Sequence, residues 1–285
     1  MSTEETRNMA LFCDFENIAL GTQAAQYAKF NINRVLEKLL LKGNIIVKKA
    51  YCDWARYRDF KAAMHEASFE LIEIPHVRQT GKNSADIRMV VDALDLCYTK
   101  PHIDTFVIIS GDSDFSPLVS KLRENSKIVI GVGVKNSTSD LLIANCDEFI
   151  YYDDLVREET NKTRRRTSKA ATPKSVTTTP APSETNAKKP AADNSESEQR
   201  KLEALDLVME TLVALREERG DQERIWGSMI KQALRRQKPG FNESYYGFSA
   251  FSELLNEAEK RGLITLERDP KSGGSVVHMS PSQKE

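Results

Sequence analysis

From Met9 to about Tyr152 two patterns of apolar residues alternate along the chain. Short runs that are apolar almost throughout read as strands: MALFCDF, NIIVKKAYCDW, FELIEIP, DTFVIIS, KIVIGVGV and EFIYY. Between them lie stretches with apolar residues at every third or fourth position, INRVLEKLLLKG, RYRDFKAAMHEA, SADIRMVVDALDLCYT, SPLVSKLREN and TSDLLIANC, which read as helices. Ser84 is expected to cap the third of these and Pro117 to sit near the start of the fourth. Strand and helix in alternation predict a three-layer α/β, Rossmann-like domain with a mainly parallel sheet. Continuously apolar strands such as VIIS and IVIGV suit a sheet covered by helices on both faces.

The pattern then stops. Between Glu158 and Arg200 the chain is rich in Thr, Ser, Pro, Ala, Lys and Asn, which predicts a flexible tether. From Leu202 helical periodicity returns in LEALDLVMETLVALREERG, IWGSMIKQALRRQKPG and FSAFSELLNEAEKRG. LITLERD and GSVVHM follow, joined by PKSGG as a β-hairpin. Three helices and a hairpin outline a small winged helix. The expected division is therefore a first domain over 8–155, a disordered basic linker over 156–200 and a winged-helix domain over 201–280.

Bulk composition narrows the partners. A formal charge of −1 over 285 residues argues against wholesale polyanion binding, but it is unevenly spread. Residues 1–155 carry −4, 156–200 carry +4 and 201–285 carry −1. The linker run Arg164-Arg165-Arg166, with Lys162 and Lys169, is either a hold on a nucleic-acid backbone or a solvated tether. Cys13, Cys52, Cys97 and Cys146 are widely spaced, with no CxxC pair, and His65, His76, His102 and His278 form no ligand pattern, which argues against zinc. Buried free thiols, a polar N-terminus and the lack of any apolar stretch long enough to span a bilayer point to a soluble cytoplasmic protein without membrane attachment.

Candidate chemistry lies in the aspartates at the ends of apolar segments: Asp14 in MALFCDFEN, Asp86 in NSADIRMVVDAL, Asp112 and Asp114 in TFVIISGDSDF. In a parallel sheet the carboxyl ends of neighbouring strands open on one crevice, so acids distant in sequence can meet there. Clustered carboxylates repel unless a hard divalent cation such as Mg2+ neutralises them. Asn17, in the loop after Asp14, can orient a water or substrate oxygen, Ser110 adds a hydroxyl, and Gly111 is expected to let the backbone turn sharply. Asp92 lies further along the helix and is expected to point elsewhere. Taken singly, each acid also fits a turn, cap or helix-terminus role.

CDFENI, GKNSADIRMVVDAL and ISGDSDF together resemble the NYN domains, the ribonuclease branch of the PIN-like fold (LabA-like). That resemblance covers about residues 8–152. It implies a metal-dependent ribonuclease in which Asp14, Asp86, Asp112 and Asp114 bind Mg2+ or Mn2+, with Asn17 and Ser110 as auxiliary catalytic groups. Lys82, and Arg78 beside it, are placed to neutralise a substrate phosphate or simply to face solvent. In the second domain Arg235, Arg236 and Lys238 close a helix and precede Phe241, Tyr245, Tyr246, Phe248 and Phe251. Cations can hold phosphates while an exposed aromatic stacks on an unpaired base, and Tyr245 and Tyr246 are the better candidates, since the phenylalanines also read as core. The segment ending in YGFSAFSELL resembles the OST-HTH, or LOTUS, winged helices, which implies binding of structured or G-rich RNA, or docking of a protein partner.

Two other readings stay open. In one, the chain is a non-catalytic RNA-binding or regulatory adaptor, with apolar surfaces on the first domain compatible with a homodimer. In the other it is a haloacid-dehalogenase-type phosphohydrolase, for which Phe15-Glu16 after Asp14 departs from the DxD the first strand requires.

Overall fold

The computed structural model describes residues 7–27, 29–74, 84–157, 192–219, 224–269 and 273–280. The chain divides into two compact units. The first carries strands β1 (Arg7–Asp14), β2 (Gly43–Cys52), β3 (Glu70–Glu73), β4 (Thr105–Ile109), β5 (Ile128–Gly133) and β6 (Glu148–Tyr151). Its helices are α1 (Phe15–Ala24), α2 (Ile32–Leu40), α3 (Arg58–Glu66), α4 (Ser84–Thr99), α5 (Ser116–Glu124), α6 (Asp140–Asn145) and a short α7 over 152–157. Every neighbouring pair of strands is parallel, in the order β3-β2-β1-β4-β5-β6.

This order follows from the chain's path. It winds outward from β1 to β3, returns through α4 to lay β4 on the other side of β1, and winds outward again. The direction reverses between β1 and β4, and a crevice outside the carboxyl ends of those two strands is the place where such sheets bind ligands.

Side chains alternate across β1. Met9, Leu11 and Cys13 face a core shared with α1, α2, α3 and α7, while Ala10 and Phe12 face a second core under α4, α5 and α6. Both faces are therefore sealed, which is why β1 from Met9 to Cys13 and β4 from Phe106 to Ile109 are apolar throughout. Phe12 and Phe106, on adjacent strands, stack with centroids 6.0 Å apart. All four cysteines are free and buried.

Two elements depart from the sequence reading. Phe15–Ala24 is a helix, so Asn17 lies in its first turn rather than in a loop. Its inward residues, Phe15, Ile18, Ala19 and Thr22, have helical spacing, but two of the four are small or polar and the stripe is faint. Ser84 is the first helical residue of α4 rather than a residue preceding it.

The second unit contains α8 (Ala192–Arg219), α9 (Gly227–Gln237) as far as Leu234, α10 (Phe251–Lys260) and the antiparallel pair β7 (Ile264–Arg268) and β8 (Ser275–Met279). Trp226 bridges to Val276, and the Val277 N–H donates to the Ile225 carbonyl at 2.8 Å, so the segment before α9 joins the hairpin. Leu205, Val208, Ile230, Leu254, Leu255, Ile264 and Val277 are buried. Gly262, at φ +72°, ends α10 in a backbone conformation that side chains disfavour. Helix α8 begins at Ala192, before the boundary at 201. The rest of the expected linker, with Arg164, Arg165 and Arg166, lies outside the described residues. Among the described residues no helix is long and apolar enough to cross a membrane.

Candidate active site

Asp14 ends β1 and caps α1. Its Oδ1 accepts the Asn17 backbone N–H at 3.3 Å, and its Oδ2 accepts the Ser110 hydroxyl at 3.0 Å. Ser110 follows β4, is fully buried, and its Oγ also accepts the Asp112 backbone N–H at 3.1 Å. One hydroxyl thus joins the ends of the two strands that flank the crevice. The Asn17 side chain makes a second tie, since its Oδ1 accepts the Gly111 N–H at 2.8 Å. Asn17 and Ser110 accordingly act on the backbone and on Asp14 and hold the two loops in register.

Asp112 accepts the Asp114 N–H at 3.0 Å and so caps a 3-10 turn over Ser113–Phe115, which runs into α5. Asp114 lies inside that turn. Among the described glycines positive φ occurs at Gly247, Gly262 and Gly273, and what Gly111 supplies is room for a close approach of backbone. A Cβ on Gly111 would meet the Ser137 carbonyl oxygen at 2.5 Å and Thr138 Cα at 3.0 Å. Backbone on backbone leaves little room to yield, so Gly111→Ala should cost about 1–3 kcal/mol in urea unfolding and disturb the Asp112 loop.

Asp86 stands in the first turn of α4. Burial pushes the Asp14 carboxyl up to about 7; the Asn17 N–H and Ser110 hydroxyl oppose this, and the charges of Asp86 and Asp112 add to it. Burial also raises Asp86 to about 6, with Asp112, Asp114 and Glu16 contributing. The four aspartates therefore share one electrostatic neighbourhood. Among the described residues none of them pairs with a lysine or arginine. Asp92, on the same helix as Asp86, is the contrast. It takes bonds from Tyr51 Oη at 2.9 Å, Lys49 Nζ at 3.3 Å and Arg88 Nε at 3.1 Å, and its charge is spent on structure.

The donors are all hard oxygens lacking a counter-charge, which fits a divalent cation in kind. The four acids are not gathered into a closed cage: among the described residues no three His, Cys, Asp or Glu side chains could hold a metal ion together. Asp14 and Asp112 each turn an oxygen to a local N–H, and carboxylate oxygens retain lone pairs for a further partner.

Glu16, which the sequence reading passed over, belongs to the same neighbourhood through its effect on Asp86 and is held by Arg56 at 3.0 Å. Its spacing, two residues after Asp14, was the available signal. Lys82 and Arg78 lie outside the described residues. Arg235 and Arg236 close α9, with Arg236 and Lys238 exposed, and Phe248 and Phe251 are buried. Tyr245 and Tyr246 are half-buried and meet edge to face at 4.9 Å; the Arg200 guanidinium lies 5.3 Å from the Tyr245 ring.

Residues 8–153, just over half of the chain, match the NYN domain family. The chain belongs to the NYN domain family. NYN domains are PIN-like nucleases, generally dependent on divalent metals, so the crevice between β1 and β4 lies in a nuclease-type domain. An uncharacterized protein of Methanocaldococcus jannaschii is 28% identical over 142 residues, 48% of this chain and 56% of that protein. Meiosis regulator and mRNA stability factor 1 of Xenopus tropicalis is 23% identical over 150 residues, 53% of this chain and 9% of that protein. The chain thus spans about half of the first relative and under a tenth of the second. A protein of unknown function from Vibrio parahaemolyticus, known from a crystal structure, is 25% identical with a TM-score of 0.48, covering 54% of this chain and 98% of that one.

Proposed function

We propose that the chain is a metal-dependent ribonuclease whose NYN domain hydrolyses RNA phosphodiesters at the Asp14, Asp86, Asp112 and Asp114 crevice. The observation that carries this reading is the set of four acids, without cationic partners among the described residues, at the point where the strand order reverses, in a PIN-like nuclease domain. Asp14 and Asp86 would hold the cation, with Asp112 and Asp114 completing the oxygen set. Ser110 and Asn17 position Asp14 and the Asp112 loop. When bound, one or two Mg2+ or Mn2+ ions supply an activated water and stabilise the leaving oxygen. Lys82, near the start of α4, is assigned to substrate phosphate.

The second unit is read as an OST-HTH winged helix over 201–280 that retains RNA, tethered by 156–200 to the nuclease domain over 8–155. Its three helices, hairpin and bridging segment support that reading, as do the exposed Arg236 and Lys238 and the half-buried Tyr245–Tyr246 pair. Arg235 belongs to the same basic helix end. Tethering a binding module to a catalytic one raises the local concentration of substrate. The name of the frog relative, an mRNA stability factor, accords with RNA as substrate. Four free, buried thiols accord with a reducing, cytoplasmic setting.

The open arrangement of the acids favours one alternative, an RNA-binding adaptor without catalysis, which docks protein through its second unit or pairs with another copy through its first. Incubating the full chain with end-labelled single-stranded and structured RNAs in Mn2+, Mg2+ or EDTA separates the two. Cleavage in metal and none in EDTA is expected; bound but intact RNA in every metal supports the adaptor.

A further inference from the structure

Beside the carboxylates a groove of about 710 Å3 runs between α4 and the layer formed by α5 and α6. Asp86 and Asp114 stand at its edge, so it is continuous with the crevice. Its walls include Ile87, Val91 and Leu141, which are 63%, 56% and 58% exposed, an unusual outlay of aliphatic surface next to an acidic site. Ser116 also lines it. That serine is only 6% exposed, and its Oγ is buried without a hydrogen-bond partner. A buried hydroxyl left unpaired costs free energy that a ligand can return. Among the described residues no lysine or arginine lines the groove, which does not suit phosphate or an acidic peptide.

Resting on the ribonuclease reading, we propose that this groove is a base subsite, taking one unpaired nucleobase of the RNA strand that enters the carboxylate crevice. The flat faces of a base are apolar enough to lie on Val91 and Leu141, and its edge carries the donors and acceptors that serine hydroxyls answer. A paired base has both its edge and its faces engaged and gains nothing here. The subsite therefore selects single-stranded or bulged RNA and sets which phosphodiester reaches the acids.

The test compares wild type with the Val91→Ala/Leu141→Ala double variant, both sites being exposed and tolerant of truncation. Substrates are one single-stranded RNA and copies carrying a single abasic ribonucleotide walked across the cleavage site. In wild type one abasic position should lower kcat/KM by about tenfold; the double variant should lose about tenfold on intact RNA and little more on that abasic copy. Ser116→Ala should shrink the discrimination among bases at that position. Equal abasic penalties in wild type and variant overturn the subsite. So does normal cleavage by the variant with a lower sedimentation mass, which makes the face a self-association surface. If wild type cuts no RNA, the nuclease reading falls, and the same comparison made on RNA affinity decides the groove: a base-dependent affinity lost in the variant upholds it, and an unchanged affinity overturns it.

Discussion

Replacing Asp14 or Asp112 by asparagine is expected to lower kcat/KM for RNA cleavage by about 10²–10³-fold while changing RNA Kd by less than about threefold. Asparagine matches aspartate in shape and keeps one acceptor oxygen, so Asp112→Asn can still cap the Asp114 N–H. What disappears is the negative charge that a divalent cation needs. Asp92→Asn is the internal control. It weakens the network with Tyr51, Lys49 and Arg88 and should cost about 1–2 kcal/mol in urea unfolding, with kcat unchanged. Single-turnover cleavage and fluorescence anisotropy on the three variants separate charge at the crevice from charge elsewhere in the same domain.

Stability in metal-free buffer should fall as pH rises through neutrality. The Asp14 carboxyl titrates at about 7 in the folded chain and near 3.8 when unfolded, so between those values the folded state binds the extra proton. Stability is then highest toward the acid end of that window and is lost as the pH climbs through the folded value. From about pH 5.5 to about pH 8 this one group removes about 2 kcal/mol. Asp86, raised to about 6, steepens the lower part of the decline. Asp14→Asn should flatten the decline, because no charge forms at the buried position. Mn2+ at about 100 times its Kd should restore about 2.7 kcal/mol at the alkaline end in wild type and little in the variant. Urea unfolding across that pH range, in EDTA and in Mn2+, measures both.

The strands that frame the crevice were readable because burial on both faces leaves Met9–Cys13 of β1 and Phe106–Ile109 of β4 without a polar residue, and their ends then mark Asp14 and Ser110. Asp86 was readable from the helix start at Ser84. The partners of these residues were harder to see. That Asp92 is neutralised depends on Lys49, a residue of β2 brought beside α4 by the sheet order, and no local pattern reports it. Gly111 looked like a turn residue, yet it is held by the approach of the Ser137–Thr138 backbone from another loop. Asn17 was assigned to a loop because α1 has a faint apolar stripe, and its bond to Gly111 spans 94 residues of sequence. The groove with its unpaired Ser116 hydroxyl exists only where α4, α5 and α6 come together.

The most direct test of the central claim is a Mn2+ titration of the full chain followed by electron paramagnetic resonance, beside Asp14→Asn and Asp86→Asn, with Mg2+ as competitor. Saturable binding of one or two ions that Mg2+ displaces and each variant weakens by at least about tenfold is the predicted result. Mn2+ binding of equal strength in wild type and both variants would contradict it and remove these acids from the chemistry.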